Sequence, residues 1–176
     1  MSLRQYQFCP ACKAPLARDA TAARCRACEF VHYDNPAPCA GIVPIQNGKA
    51  LIAIRGIEPF KGAADAIGGF MQAGETPERA ALRELLEETG LAAEINGFIG
   101  SYTDTYGADG VPTLALYYTA RITGGTMAAQ DDVAELRWVP IADLPEDEGF
   151  AHIQQLFRDL KEWWKRLPEE ERQRFA

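Results

Sequence analysis

No stretch of this sequence approaches the roughly 20 consecutive apolar residues that a membrane-spanning helix requires. The opening residues, 1–6, also lack the apolar core of a signal peptide. Both absences predict a soluble, cytoplasmic protein without a membrane partner. Hydrophobic residues nevertheless make up 47% of the 176 residues. A chain of this length and composition can form one full domain with a small appendage.

Basic residues are also in short supply. The chain has 18 lysines and arginines against 25 aspartates and glutamates, which gives a formal net charge of −7. General nucleic-acid binding needs a basic face, so this balance argues against a nucleic-acid partner. An anionic substrate would need local help from a metal ion or from a few well-placed cations.

Cysteine is scarce as well, but its positions are informative. Four of the five cysteines form two Cys-x-x-Cys pairs, Cys9 with Cys12 and Cys25 with Cys28, while Cys39 stands alone. In a reducing compartment such pairs indicate a metal site rather than disulfides. Four thiolates complete the tetrahedral shell of Zn²⁺ and leave no open position for catalysis, which predicts a structural zinc ribbon. The alternative is two unligated pairs.

The apolar patterns after the cysteines predict a mixture of strands and helices. Two apolar runs flank Asn47-Gly48, a step typical of a β-hairpin. Thr76 is a good N-cap and Gly90 can stop a helix, so we expect a helix over Pro77–Thr89. Strands are expected at 94–106, 113–122 and 135–139, an amphipathic helix at Phe150, Ile153, Phe157, Leu160, Trp163 and Trp164, and a fraying charged tail at 168–176.

The helix over Pro77–Thr89 carries three carboxylates on one face. At about 100° per residue, Glu88 lies about 40° to one side of Glu84, and Glu87 about 60° to the other. Such clusters occur where a hard cation compensates the charge, and Mg²⁺ or Mn²⁺ takes oxygen ligands of this kind. The alternative is a solvated acidic helix face. The apolar positions expected to pack against a sheet are Ala81, Leu82, Leu85 and Leu86.

These carboxylates belong to a longer pattern with fixed spacing. It consists of Gly69, five residues, Glu75, seven residues, Arg83-Glu84-Leu85, one residue, Glu87-Glu88, one residue and Gly90-Leu91. The pattern resembles the Nudix box at every defined position. With the hairpin before it and Trp138-Val139-Pro140 after it, about residues 37–165 are similar to the Nudix domain.

The resemblance implies an α/β fold, in which a Nudix α/β/α sandwich around a mixed sheet follows a small zinc ribbon. We expect the zinc ribbon over 1–35, the Nudix hydrolase domain over 36–167 and the charged tail over 168–176. One departure precedes the box, where relatives commonly have a Trp and then Pro-Gly-Gly. This chain has Ala64-Asp65-Ala66-Ile67-Gly68-Gly69 instead, which affects the rigidity of the loop rather than the metal chemistry.

The resemblance also implies a role for each residue of the box. The groups that would hold one to three divalent ions are Glu84, Glu87, Glu88 and the carbonyl of Gly68. Arg83 would orient Glu87, while Glu75 would pair with Arg83 or close the loop onto the helix. Gly69 would let the loop fold tightly over the start of the helix. A metal-polarised water would then attack one phosphorus of a diphosphate.

The general base and the substrate contacts are less specific. The candidate bases lie in the loop and strand before Trp138 and are Asp131, Asp132 and Glu135. The candidate substrate contacts are Arg55 for a phosphate and Phe70, Tyr102 and Tyr106 for a base. An ordinary polar loop, a solvated arginine and packing aromatics remain the alternatives.

A ribbon directly before a Nudix domain is similar to the NADH pyrophosphatase and ADP-ribose pyrophosphatase-like group. The resemblance implies a pyrophosphohydrolase that cleaves the diphosphate linkage of ADP-ribose, NAD(H), FAD or a similar dinucleotide to mononucleotides. A preference for NADH is not indicated, because the Ser-Gln-Pro-Trp-type motif of those enzymes is replaced by Gly100-Ser101-Tyr102-Thr103-Asp104-Thr105-Tyr106. A homodimer is expected, as in many relatives. Two alternatives are a non-catalytic nucleotide sensor whose ribbon contacts a partner and, last, a ribbon that binds nucleic acid.

Overall fold

The computed structural model describes residues 7–108 and 110–175. Expectations for residues 1–6, Asp109 and Ala176, which include the signal-peptide segment and the ends of the ribbon and the tail, lie outside the described residues. The chain divides into two compact units, which are Met1–Ala37 with Thr105–Thr113, and Pro38–Asp104 with Leu114–Ala176. The first unit contains the paired cysteines and the second contains the helix with the carboxylates.

The first unit is built on a small antiparallel sheet. Its strands are β1, Leu16–Arg18, β2, Ala22–Cys25, and β3, Val31–Tyr33, with β2 in the middle. The turn between β1 and β2 is closed by Asp19, whose Oδ1 accepts hydrogen bonds from the N–H groups of Thr21 and Ala22 at 2.7 and 2.8 Å. Those bonds hold the pKa of Asp19 at about 2. Within residues 7–37 the buried apolar side chains are Cys9, Ala22 and Ala23, too little for a core of its own.

The second unit is organised around a seven-stranded sheet. Its strands are β4 (Ala37–Gln46), β5 (Lys49–Arg55), β6 (Ala64–Asp65), β7 (Ile67–Phe70), β8 (Leu91–Tyr106), β9 (Val111–Gly125) and β10 (Val133–Pro140). The order is β10-β5-β4-β9-β8, with β6 on β5 and β7 on β4. Asn47 and Gly48 both have positive φ, 52° and 71°, as a type I′ hairpin turn requires. The predicted hairpin and the three later strands are confirmed.

Two helices cover opposite faces of this sheet. Alternate residues of β4 and β5 pack with helix α1, Pro77–Thr89, in one cluster that includes Ala40, Ile42, Leu51, Ala53, Ala80, Ala81 and Leu85. On the other face, the Tyr117 ring lies against Gly41 and its hydroxyl reaches His152 of helix α2, Ala151–Arg166. Side chains alternate between the faces of a strand, so the sheet lies between α1 and α2. The expected α/β/α sandwich is confirmed.

Helix α1 begins and ends where the sequence predicts. Thr76 Oγ1 accepts from the N–H of Arg79 at 3.4 Å, and Pro77 occupies the first turn. Gly90 adopts the left-handed conformation, with φ 69°, and donates its N–H to the Leu86 carbonyl at 2.9 Å. The two caps confirm the predicted bounds.

Leu86 on α1 does not pack against the sheet, contrary to the expectation from the sequence. Leu86 is 56% exposed, whereas Ala81 and Leu85 are fully buried and Glu88 is only 6% exposed. At about 100° per residue, Glu88 lies about 20° to one side of Ala81 and Leu85 about 40° to the other, whereas Leu86 lies on the far side of the helix. The helix therefore faces the sheet with Glu88 rather than with Leu86.

The C-terminal segment is folded rather than frayed. Residues Glu169–Arg172 form a short helix, α3, and Gln173–Phe175 a 3-10 turn. The Phe175 ring lies edge-on to Trp163 and Trp164 at 5.6 and 5.8 Å, and it is buried. The expectation of a fraying tail is wrong for the described residues because these aromatic contacts bury Phe175. None of the helices in the described part of the chain is long and apolar enough to span a bilayer.

Candidate active site

Arg83 is the centre of an ion-pair network at the start of α1. Its Nε and Nη2 donate to the two carboxylate oxygens of Glu75 at 2.7 and 3.0 Å. Its Nη1 donates to Glu84 Oε1 and to Glu87 Oε2, both at 2.8 Å. Nη2 also donates to the carbonyl of Phe70 at 3.1 Å. The guanidinium therefore holds three carboxylates and the end of β7 in fixed relation, as a planar fork of donors can.

Glu75 completes the loop that leads into the helix. Besides its two contacts with Arg83, its Oε2 accepts from the N–H of Gln72 at 2.8 Å. The bonds from Arg83, followed by the bond from Gln72, lower the pKa of Glu75 to about 2. Glu75 therefore stays ionised over the working range of pH, and it both pairs with Arg83 and closes the loop.

Glu88 lies among other carboxylates in the interior. Burial is the main cause that raises its pKa to about 9, followed by the negative charges of Asp132, Glu84 and Asp65. The N–H of Gly68 donates to the Glu88 carboxylate and opposes this shift. Burial also raises the pKa of Glu84, against the effect of Arg83. An arrangement with this excess of negative charge suits a divalent cation with oxygen ligands.

The glycines before the box allow the backbone to approach the carboxylates. A Cβ at Gly69 would lie 2.6 Å from Glu84 Oε1, so any larger residue there would displace that carboxylate from its present position. A Cβ at Gly68 would lie 2.5 Å from the Gly41 Cα on β4, with which Gly68 is paired. Strand β7 therefore packs closely between β4 and α1.

The candidate base Asp132 lies near this cluster, whereas Glu135 does not share it. A small cavity beside Glu88 is lined by Ala53, Arg55, Asp65, Ala66, Gly68, Glu88, Asp132 and Val133. Glu135 is exposed on β10 and accepts from Arg137 at 2.6 and 2.7 Å. Asp131, the third candidate, is exposed and has φ 53°. The structure brings one of the three candidates, Asp132, to the carboxylate predicted to bind a metal, Glu88.

Arg55 is held by several groups at the end of β5. Its Nη1 forms an ion pair with Asp65 Oδ2 at 2.7 Å, and its Nε donates to the Pro59 carbonyl at 2.7 Å. The guanidinium also lies over the Phe150 ring, 5.0 Å from its centroid. A phosphate contact from Arg55 remains a prediction. Asp65 is the residue that sequence reasoning missed, since it stands at an unremarkable position before the box.

The three aromatic candidates for substrate binding have different surroundings. Phe70 is 45% exposed at the end of β7, close to the box. Tyr102 is buried and donates its hydroxyl to Asp159 Oδ2 at 2.9 Å. Tyr106, at the end of β8, is partly buried and falls in the first unit. Phe70 is thus the most exposed of the three candidates, and base stacking by any of them remains a prediction.

A hydrogen-bonded chain on the α2 face was not foreseen from the sequence. Asp104 Oδ2 accepts from the backbone N–H of His152 at 3.0 Å and contacts His152 Nδ1 at 2.9 Å. His152 Nε2 lies 3.1 Å from the Tyr117 hydroxyl. The residues are 48 and 35 positions apart, so no local pattern signals the arrangement.

The paired cysteines form a separate cluster in the first unit that could hold a metal ion. Their four Sγ atoms all lie within 4.8 Å of one another. Cys9 is 3.7 Å from Cys28, and Cys12 is 3.4 Å from Cys25. A Zn–S bond of about 2.3 Å in a tetrahedron implies S–S distances near 3.8 Å. The cluster therefore fits Zn²⁺ in a closed, structural site, as the Cys-x-x-Cys spacing predicts.

Comparison with known proteins agrees with this geometry. The ADP-ribose pyrophosphatase of Methanocaldococcus jannaschii is 30% identical over 131 residues, which cover 74% of this chain and 76% of that protein. The NAD-capped RNA hydrolase NudC of Vibrio atlanticus is 27% identical over 146 residues, which cover 81% of this chain but only 52% of NudC. The chain thus spans about half the length of that relative.

Structural comparison gives the same fold. The crystal structure of a NUDIX hydrolase from Nitrosomonas europaea matches with a TM-score of 0.75 and 24% identity, covering 93% of this chain and 95% of that one. The family model for the NUDIX domain matches residues 35–160, which include the ion-pair network of Arg83 and the buried carboxylates. The chain belongs to the NUDIX family.

Proposed function

We propose that this protein is a metal-dependent pyrophosphohydrolase that cleaves the diphosphate linkage of a nucleoside diphosphate derivative. The observation that carries the proposal is the position of Glu88. Its carboxylate is buried beside Glu84, Asp65 and Asp132, and this crowding together with burial raises its pKa to about 9. A protein gains little from such a cluster unless a cation or a proton compensates it.

The ions proposed for this site are Mg²⁺ or Mn²⁺, held by Glu84, Glu87 and Glu88. Such an ion lowers the pKa of a bound water and neutralises the charge that develops on the phosphate oxygens. Glu87 is half exposed, so it can leave Arg83 and turn toward a ligand, while Arg83 keeps its bonds to Glu75. Zn²⁺ is proposed for the cysteine cluster, where its role is to hold the ribbon folded.

Asp132 is the best placed of the three candidate bases. It lines the same small cavity as Glu88 and Gly68, and its charge acts on Glu88. Glu135 is committed to Arg137, which lowers the pKa of its carboxyl and makes it a weaker proton acceptor. Asp132 is therefore proposed to take the proton of the attacking water.

ADP-ribose is the first substrate to test because the archaeal relative that shares three quarters of its length with this chain is an ADP-ribose pyrophosphatase. NAD(H), FAD and other dinucleotides offer the same linkage between two nucleoside or sugar groups. The NudC relative acts on NAD-capped RNA, so a short RNA with a 5′ NAD cap belongs in the same panel. Its cleavage would make RNA a substrate despite the acidic charge of the chain.

We expect a homodimer, which light scattering coupled to size exclusion would measure.

The deciding experiment is a substrate panel with Mg²⁺ and with Mn²⁺, using zinc-replete protein and Glu88→Gln as the matched control. Release of AMP and ribose 5-phosphate from ADP-ribose, absent in the variant and without metal, is the expected result. Release of products by the variant at the wild-type rate would contradict the metal assignment. Tight binding of a nucleotide with no turnover across the whole panel would favour the nucleotide-sensing alternative, with the ribbon as its partner-binding element.

A further inference from the structure

Asp104, His152 and Tyr117 connect helix α2 to the back of the carboxylate site, and no step of the proposed reaction uses them. Helix α2 has Phe150 at its N-cap, with no side-chain cap of its own. Asp104 from β8 supplies one by accepting the His152 N–H at 3.0 Å. The same carboxylate oxygen contacts the ring at Nδ1, 2.9 Å away. One aspartate therefore fixes both the start of the helix and the orientation of the imidazole.

The pattern of partners assigns the imidazole tautomer. Asp104 is an acceptor, so the Nδ1 next to it carries the proton, and the Nε2 of a neutral ring accepts from the Tyr117 hydroxyl at 3.1 Å. Tyr117 is only 6% exposed, and burial raises the pKa of its hydroxyl well above the usual value. The hydroxyl therefore stays protonated and serves as a donor.

The Tyr117 ring meets the strands that carry the metal site. It lies against the backbone of Gly41, where a side chain would have no room beside Cε1 and Cδ1 of the ring. Gly41 is paired with Gly68 across β4 and β7, and a Cβ at Gly68 would lie 2.5 Å from the Gly41 Cα. Gly68 in turn donates its N–H to Glu88. A continuous path of contacts therefore leads from His152 to a metal-binding carboxylate.

We infer that the Asp104–His152–Tyr117 chain positions the metal site from the opposite face of the sheet, by holding the Gly41–Gly68 pair against Glu88. The inference rests on the proposed metal-dependent function. His152 and Tyr117 act here as positioning residues and not as catalytic ones. Groups directly behind a metal ligand are commonly worth about 10- to 100-fold in metal affinity or activity, and this chain acts through Gly41 and Gly68, so we expect an effect at the lower end, of about tenfold.

The test measures Mn²⁺ binding by electron paramagnetic resonance of the free ion, together with kcat, KM and the melting temperature. Tyr117→Phe removes the hydroxyl and keeps the ring, and Tyr118→Phe is the matched control. The Tyr118 hydroxyl donates to Glu78 on the α1 face, at 3.2 Å. We expect Tyr117→Phe and Asp104→Asn to weaken Mn²⁺ binding and lower kcat by about tenfold, while Tyr118→Phe leaves both unchanged.

Two replacements of His152 separate the halves of the chain. His152→Gln can keep an acceptor near the position of Nε2 for Tyr117, while His152→Asn keeps only a donor near Asp104. The Gln variant should therefore retain more of the Mn²⁺ affinity than the Asn variant. If both bind Mn²⁺ as tightly as the wild type and only melt at a lower temperature, the chain merely fastens α2 and the inference is wrong.

Mn²⁺ binding also separates this inference from the proposed function. If the wild type binds Mn²⁺ but hydrolyses nothing in the panel, the proposed activity is wrong. The Mn²⁺ affinities of the variants still test the role of Asp104, His152 and Tyr117. If the wild type is active and Tyr117→Phe and Asp104→Asn bind Mn²⁺ as tightly as it does, the inference about Asp104, His152 and Tyr117 is wrong and the proposed function stands. If Asp104→Asn fails to fold, Tyr117→Phe and the His152 pair decide, because they leave the cap of α2 in place.

Discussion

The carboxylate of Glu84 lies against the Cα of Gly69, so closely that a Cβ there would be 2.6 Å from Oε1 and 2.8 Å from Cδ. Because the glutamate is tethered to Arg83 at 2.8 Å, it has little freedom to retreat. The position of a proposed metal ligand is thus set by the absence of a side chain at the preceding glycine.

Replacement of Gly69 by alanine should displace Glu84 and weaken metal binding. We expect Mn²⁺ affinity and kcat to fall by about tenfold or more, because the ligand moves from its place. Gly124→Ala is the matched control, since a Cβ at Gly124 has nothing within 4 Å and its φ is not positive. Isothermal titration with Mn²⁺ measures the effect, and equal affinity in the two variants would show that Glu84 is not constrained by Gly69.

Replacement of Arg83 by lysine should fail to preserve the site. An ammonium cannot donate to Glu75, Glu84 and Glu87 in the planar arrangement of a guanidinium, and the three carboxylates would repel one another. We expect kcat/KM to fall by about 10- to 100-fold and the free energy of unfolding by about 1–3 kcal/mol. Arg121→Lys, at the exposed ion pair with Glu94, should change neither quantity. Activity within twofold of wild type in the Arg83 variant would contradict the role of the network.

The metal-free protein should lose stability as the pH rises. The pKa of Glu88 is raised to about 9 from 4.5, so its protonated form is favoured by folding. The stabilisation is fully present below pH 4.5 and is lost as the pH rises through 9. In the metal-free Glu88→Gln variant this dependence should be absent, because an amide does not ionise. Urea denaturation at several pH values in the presence of EDTA measures it, and parallel curves for the two proteins would contradict the burial of Glu88.

Removal of zinc should unfold the ribbon and spare the second unit. We expect one Zn²⁺ per chain by elemental analysis, and a loss of amide protection over residues 7–37 after chelation, because that segment buries little else. Cys28→Ser should lose the metal, whereas Cys39→Ser, outside the cluster, should keep it. Full zinc content in the Cys28 variant would show that the four thiolates do not form the site.

Much of the fold follows from local patterns, because the groups that produce each of them lie within a few residues. The caps at Thr76 and Gly90 define α1, the Asn47-Gly48 step defines the hairpin, and the spacing of the cysteines places four sulfur atoms around one point. The Nudix pattern is of the same kind, since a helix brings residues three and four apart to one face. Phe175, whose partners are farther away in the chain, was expected to be mobile and is buried.

The sequence by itself therefore determined the family, the bounds of the helix that carries the clustered carboxylates and the identity of those carboxylates. Only the tertiary structure decided how α1 is rotated, with Glu88 turned inward and Leu86 outward, and that Asp65 and Asp132 lie near Glu88. It also decided that Asp104, His152 and Tyr117 meet. The physical reason is that these contacts join separate strands and helices, and the packing of the whole sheet, rather than any local spacing, brings them together.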